Sequence, residues 1–258
     1  MTCADPTQRF SSRVENYIRY RPGYPSAILE VLARECGLTP ASVIADVGSG
    51  TGLLAALFLA YGNHVFGVEP NHEMRAAGAR QLHAYSRFTS VNGKAEATNL
   101  PDGSVDFVTA GQAFHWFDQP RTRAEFARVL RPRGYVALVW NERRPKASAF
   151  AAAYEALLAR YGTDFATVDH RSIDNDAIAA FFGPGTYELC RFENSQVFDC
   201  AGLQGRLLSS SYAPEAGHPD HEPMLRELRT IFAAHQRNGM IQFDYETKLF
   251  FGRLEPVA

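Results

Sequence analysis

Two short apolar runs in this chain each end in an acid, and three glycines lie between them. Val43-Ile44-Ala45 leads into Asp46, and His64-Val65-Phe66-Gly67-Val68 leads into Glu69. Gly48, Gly50 and Gly52 take alternate positions after the first acid, and an apolar segment over residues 53 to 61 follows them. Folded as strand, glycine turn, helix and strand, this stretch brings both carboxylates to one end of a sheet. Glycines there let a ligand approach the backbone, and an acid ending the second strand suits a pair of ribose hydroxyls. That is the chemistry of nucleoside binding. The plainer readings are an ordinary tight turn and, for Glu69, a solvated strand end.

Spacing narrows the nucleoside. The dinucleotide fingerprint needs glycines at offsets zero, two and five. Gly48 and Gly50 fit, but Leu53 holds the third place and Gly52 comes one residue early. No Gly-Lys-Ser/Thr follows, so the turn is not a P-loop. Asp46 would repel a phosphate and attract an ammonium. A ligand with an ammonium, a ribose and no phosphate meets all three conditions, and S-adenosylmethionine is such a ligand.

The same residues resemble the class I S-adenosylmethionine-dependent methyltransferases. Asp46-Val47-Gly48-Ser49-Gly50-Thr51-Gly52 is similar to their glycine-rich first motif, and Val68-Glu69-Pro70-Asn71 to the ribose-binding second. Gly93-Lys94-Ala95-Glu96 with Leu100-Pro101-Asp102-Gly103-Ser104-Val105-Asp106 resembles the adenine-side loop and the start of the fourth strand. Lys94 departs from the pattern, since many members carry Asp there. Residues 126 to 135 resemble the turn before the fifth strand. The N-terminal stretch from Arg9 to Pro25 is similar to the small-molecule branch, of the ubiquinone-biosynthesis and trans-aconitate methyltransferase type. The resemblance implies a Rossmann-like α/β fold, with a seven-stranded, mostly parallel sheet, helices on both faces, an antiparallel last strand and a helical cap. It implies S-adenosyl-L-methionine as cofactor and S-adenosyl-L-homocysteine as product. The implied cofactor contacts are Asp46, Gly48, Ser49, Gly50, Thr51, Gly52, Glu69, Pro70, Ala95 and Glu96, with Gly111 and Gln112 at the end of the fourth strand. Asn71 and Met74 read as a cap and an apolar wall. Tyr17 and Arg21 would fold over the cofactor, Arg21 meeting its carboxylate. Both also read as packing and surface charge.

Periodicity supplies the elements that would position these groups. Strands are expected over residues 42 to 47, 64 to 69, 88 to 92, 105 to 110 and 135 to 140. Helices alternate with them, one ending at Gly37, one capped by Asn71 and running to about residue 83, and one opened by Pro120 and running to 130. Such alternation implies parallel strands with crossover helices, and a ligand crevice at their carboxyl ends. Further on, helices are expected over 147 to 161, 176 to 182, 202 to 211 and 222 to 236, with strands over 187 to 199 and 241 to 254. The helices between 147 and 182 and between 202 and 238 would cap the pocket. The chain reads as one domain, residues 1 to 258. Residues 1 to 40 form a cofactor-covering segment, 41 to 141 the binding core, and 142 to 258 the cap and final strands.

Gly111-Gln112-Ala113-Phe114-His115-Trp116-Phe117 follows the fourth strand, where the transferred methyl is expected. His115 titrates near neutrality and is the first candidate for a catalytic base; Glu142 is the second. Packing under the next helix is the other reading of His115 and Trp116. A net charge of -2 gives no basic field for a nucleic acid. Cys3, Cys36, Cys190 and Cys200 show no metal-type pairing. No leader-like or membrane-length apolar run is read, so a cytoplasmic protein with a small-molecule acceptor, no membrane and no metal is expected. Two other classes stay open, a non-catalytic adenosyl-cofactor-binding protein and an NAD-dependent oxidoreductase.

Overall fold

The computed structural model describes residues 13–163, 165, 175–183 and 186–254. The expected loose N-terminus, residues 1 to 10, lies outside them. Seven strands form one sheet in the order β3-β2-β1-β4-β5-β7-β6. They are β1 (Val43–Val47), β2 (His64–Val68), β3 (Phe88–Val91), β4 (Val105–Gly111), β5 (Leu130–Arg143), β6 (Tyr187–Phe198) and β7 (Ile241–Gly252). The first five run parallel. β7 is antiparallel to both β5 and β6, as the family resemblance implied. The strand order reverses between β1 and β4, where Asp46 lies in register with Thr109. Ligand crevices form at such reversals in open α/β sheets.

Both faces of the sheet are covered, which explains the near-continuous apolar strands. Ile44, Val65 and Val139 face α2 (Ala27–Cys36) and α3 (Leu53–Tyr61), against Ile28, Leu32, Leu54 and Phe58. Ala45, Val108, Leu138 and Trp140 face the other way, with Phe126 of α5 (Gln119–Val129). Local signals end these helices. Gly37 stops α2 at φ 71°. Asn71 caps α4 (His72–Gln81), its Oδ1 accepting from the Met74 N–H at 2.9 Å. Asp118 caps α5, with a proline in its first turn.

Two expectations need correction. β5 begins at Leu130 rather than 135, because Leu130 pairs with Val105 before a register shift. Arg133 absorbs the irregularity at φ 68°. Helix α7 (Asn175–Phe182) is no part of the cap. Ile178, Phe181 and Phe182 join the sheet core, with the Phe181 ring 4.7 Å from Phe114 and 5.9 Å from Phe126. The cap is α6 (Ala149–Tyr161), α8 (Cys200–Leu208) and α9 (His221–His235), and it has its own core. Tyr154, Leu157, Leu203, Leu228 and Phe243 pack together where β6 and β7 run past the sheet.

The N-terminal segment is pinned to the tips of the late strands. The Asn141 Nδ2 donates to the Gly23 carbonyl at 3.1 Å, and Asn194 Nδ2 donates to the same oxygen at 2.9 Å. Thr247 Oγ1 donates to Asn141 Oδ1 at 2.5 Å. Helix α1 (Val14–Tyr20) packs on α8, where a side chain at Gly205 would collide with the Tyr20 ring. Among the described residues no helix is long and apolar enough to cross a membrane.

If α7 is core, Phe181→Ala should cost about 3–5 kcal/mol in urea unfolding, the range for emptying a buried aromatic site. A solvent-facing lid would lose well under about 1 kcal/mol.

Candidate functional site

The crevice begins with backbone geometry that excludes side chains. Gly48, Gly50 and Gly52 sit at φ 67°, 56° and 86°. A Cβ on Gly48 would lie 2.7 Å from that of Ala113, and one on Gly52 would lie 2.5 Å from Leu82 Cδ1. Alternate glycines are therefore needed for both conformation and space.

Glu69 fastens this turn to the end of β2. Its Oε2 accepts the Gly50 N–H at 2.9 Å, and its Oε1 accepts the Asn71 N–H at 2.8 Å. Arg75 donates to the Glu69 carbonyl at 2.8 Å. Burial raises the Glu69 pKa, while the two backbone N–H groups pull it down. Each carboxylate oxygen has accepted one hydrogen bond from the backbone, leaving acceptor capacity for a vicinal diol.

Asp46 lies deeper, with 1% of its surface exposed. Thr109 Oγ1 donates to its Oδ1 at 2.9 Å, but its Oδ2 has no hydrogen-bond partner among the described residues. Burial pushes its pKa up to about 7, against the Thr109 hydrogen bond and the pull of the Ala55 backbone N–H at the start of α3. An ammonium brought to this edge would satisfy the orphaned oxygen. Nearby, Gly111 admits Tyr24, whose hydroxyl a Cβ there would meet at 2.5 Å.

A cavity of 250 Å³ opens above the glycine turn. Of the residues expected from sequence, Tyr17, Gly48, Gly50, Glu69, Pro70, Ala95, Glu96, Gly111 and Gln112 line it. Asp46, Ser49, Thr51, Gly52 and Arg21 are not on its wall. Ser49 and Gly52 instead build the turn, the Gly52 N–H donating to the Ser49 carbonyl at 2.8 Å. Gln112 turns at φ 55° and exchanges hydrogen bonds with the Asn141 backbone, accepting from its N–H at 2.7 Å. Arg21 donates to the Ser209 carbonyl at 3.0 Å, with its guanidinium 5.0 Å from the Tyr17 ring centroid.

The wall also holds residues outside the expected set: Asn71, Met74, Lys94, Ala113, Trp116 and Phe117. Met74 and Asn71 sit within about a turn of Glu69, a signal the sequence did contain. Ala113, Trp116 and Phe117 reach the cavity through the Gln112 turn and a single 3-10 turn, Phe114–Trp116, which periodicity does not reveal. The two base candidates are off this wall. His115 is half-buried with its ring 4.6 Å from that of Trp116. Glu142 pairs with Lys248 at 2.7 Å.

Comparison with known proteins bears on the same residues. Residues 45–138 match the family model of a methyltransferase domain. An uncharacterized methyltransferase of Mycobacterium tuberculosis is 39% identical over 147 residues, covering 55% of this chain. The match spans 57% of that relative, a little over half its length. An uncharacterized methyltransferase-like protein of Schizosaccharomyces pombe is 28% identical over 257 residues, 96% of each chain. A solved structure from Anaeromyxobacter dehalogenans, described as a type II methyltransferase, superposes with a TM-score of 0.66 at 25% identity. It covers 92% of this chain and 100% of that one.

The buried Asp46 carboxyl makes a pH prediction. Its folded pKa of about 7 exceeds the unfolded value, so its neutral form stabilises the fold at low pH. That contribution is complete below the unfolded pKa near 4 and is lost as pH rises towards 7. Without cofactor, Asp46→Asn should therefore gain thermal stability relative to the native chain at pH 8, and the gap should close by pH 4. A gap independent of pH in thermal unfolding would contradict the assignment.

Proposed function

We propose that the chain is a class I S-adenosylmethionine-dependent methyltransferase that transfers a methyl group to a small-molecule acceptor by in-line displacement, a reading supported by the methyltransferase-domain match and the methyltransferase relatives. The observation that carries this reading is Glu69, buried at the end of β2, with each oxygen on a backbone N–H beside the cavity. A carboxylate held there is oriented for two hydroxyls on adjacent carbons, the pattern of a ribose.

The remaining roles follow from position. Ala95, Met74 and Pro70 offer an apolar slot for a base, and Glu96 sits at its rim. The unpartnered Asp46 oxygen suits an ammonium and opposes a pyrophosphate. This favours the adenosyl amino-acid cofactor over a nicotinamide one. Arg21, behind Tyr17, is assigned to the cofactor's carboxylate. When bound, S-adenosylmethionine supplies a methyl on sulfonium sulfur, whose C–S electron pair stays on sulfur while the acceptor's lone pair forms the new bond. The protein's share is alignment and exclusion of water. Tyr17, Trp116 and Phe117 supply the water-excluding wall. With His115 off that wall and Glu142 paired to Lys248, we assign proton transfer to neither. A nucleophile already unprotonated at neutral pH suits such a site. The small cavity and the net charge of -2 support a small acceptor over a nucleic acid.

Calorimetric titration tests the cofactor. S-adenosylhomocysteine should bind and NAD should not. Glu69→Ala should weaken the former at least about tenfold, or about 1.4 kcal/mol. NAD binding, or unchanged affinity in a folded Glu69→Ala, would remove the assignment. Binding without methyl transfer across a broad acceptor panel would favour the non-catalytic alternative.

A further inference from the structure

Among the described residues, the cap buries more positive charge than it neutralises. Arg206 of α8 is 3% exposed and points into the cap core. Its Nε donates to the Tyr245 hydroxyl at 2.9 Å, and its Nη1 donates to Ser210 Oγ at 3.2 Å. Its guanidinium lies over the rings of Phe243 and Tyr245, at 5.6 and 5.8 Å. No carboxylate pairs with it among the described residues. Two more arginines converge on the same tyrosines. Arg143 pairs with Glu155 at 3.3 Å and donates to the Tyr212 hydroxyl at 2.8 Å. Arg21 lies close enough to Arg206 that burial, and then Arg206, lower its pKa.

A guanidinium cannot discharge itself by losing its proton inside a protein. Buried without a counter-charge, it costs free energy that neutral hydroxyls repay only in part. Among the described residues, three buried cations therefore face one carboxylate, Glu155. The cofactor's carboxylate, assigned to Arg21, would leave Arg206 unmatched. Beside it stands a second incomplete group. Tyr154 is 1% exposed, and its hydroxyl has no hydrogen-bond partner among the described residues. The tyrosine beside them registers the excess charge. Burial alone would raise the Tyr212 pKa, yet Arg143, Arg206 and Arg21 together bring it below its ordinary value.

The cluster connects to the cavity above the glycine turn through two side chains. Arg21 stacks on Tyr17, and Tyr17 lines that cavity. Building on the methyltransferase reading, we propose that Arg206 and the Tyr154 hydroxyl form the anchoring end of the acceptor site, and that the acceptor is a small organic acid held by its carboxylate. The chemistry favours this class. A guanidinium fork and a hydroxyl donor match one carboxylate. The rings of Phe243, Tyr245 and Tyr212 suit the apolar body of such an acid. One unmatched positive charge calls for one negative charge, where a phosphate brings about two. Anchored at this end, the acid would turn its other end towards the sheet edge at Gly111.

The test uses the full chain saturated with S-adenosylhomocysteine, titrated calorimetrically with benzoate, its neutral isostere benzamide, and inorganic phosphate. Benzoate should bind, with benzamide at least about tenfold weaker. Arg206→Met should weaken benzoate at least about tenfold while S-adenosylhomocysteine binds as before. Tyr154→Phe, which removes only the hydroxyl, should weaken benzoate severalfold with the melting temperature retained, and it serves if Arg206→Met does not fold. The proposal fails if benzoate does not bind, if benzamide matches it, if phosphate binds more tightly, or if either folded variant leaves benzoate affinity unchanged. Benzoate binding that needs Arg206, in a chain that takes no S-adenosylhomocysteine, would uphold the anion site and overturn the methyltransferase reading instead.

Discussion

The carboxylate of Glu69 connects two turns that have no other reason to hold the same geometry. One oxygen takes the N–H of Gly50 and the other that of Asn71, so the glycine loop and the start of α4 share a single anchor. Hydrogen bonds to an ionised acceptor are stronger than neutral ones. A buried carboxylate without them would be costly. The anchor therefore fixes the backbone as much as it offers a binding group. Positive-φ glycines, the Asn71 cap and the approach of Met74 to Gly50 all sit around it. The parallel sheet brings Asp46 alongside by register, without a direct bond between the two acids.

Outside that centre, the molecule divides its labour between two cores. The sheet and its flanking helices hold the glycine turn and the cavity above it. The cap, built on the overhang of β6 and β7, carries Arg143, Arg206 and the tyrosines around them. Helix α1 joins the two. Tyr17 faces the cavity, Arg21 bonds to Ser209, and Arg13 donates to the carbonyls of Ser210 and Ala213 at 2.6 and 2.7 Å. Substitutions in the cap core can thus reshape the acceptor side while the sheet core stays intact.

The features legible in the sequence were those set by local constraints. Three alternate glycines report a backbone that needs positive φ, and acids ending two apolar runs report strand ends. The Asn71 cap, the helix start at Pro120 and the stop at Gly37 are short-range and were readable for the same reason. The rest depended on contacts distant in sequence. Nothing near Phe181 says that it will meet Phe114 rather than cover a pocket. Ala113 and Phe117 reach the cavity only because Gln112 adopts a left-handed turn against Asn141. Arg206 reads as an ordinary helix surface charge until α1, β7 and α6 enclose it. Sequence distance from a strand end does not say on which side of a turn the His115 ring will lie.

The bonds that pin Gly23 have a temporal consequence. Asn194 reaches Gly23 across 171 positions, and Asn141 reaches it across 118. Thr247, which orients Asn141, comes later still. Contacts so far apart in sequence close late and slow folding. On the ribosome, strands β1 to β5 can assemble as they emerge, but the dock for the segment carrying Tyr17 and Arg21 is complete only once β7 has been synthesised. The nascent chain would build the crevice at its glycine turn first and seal it last.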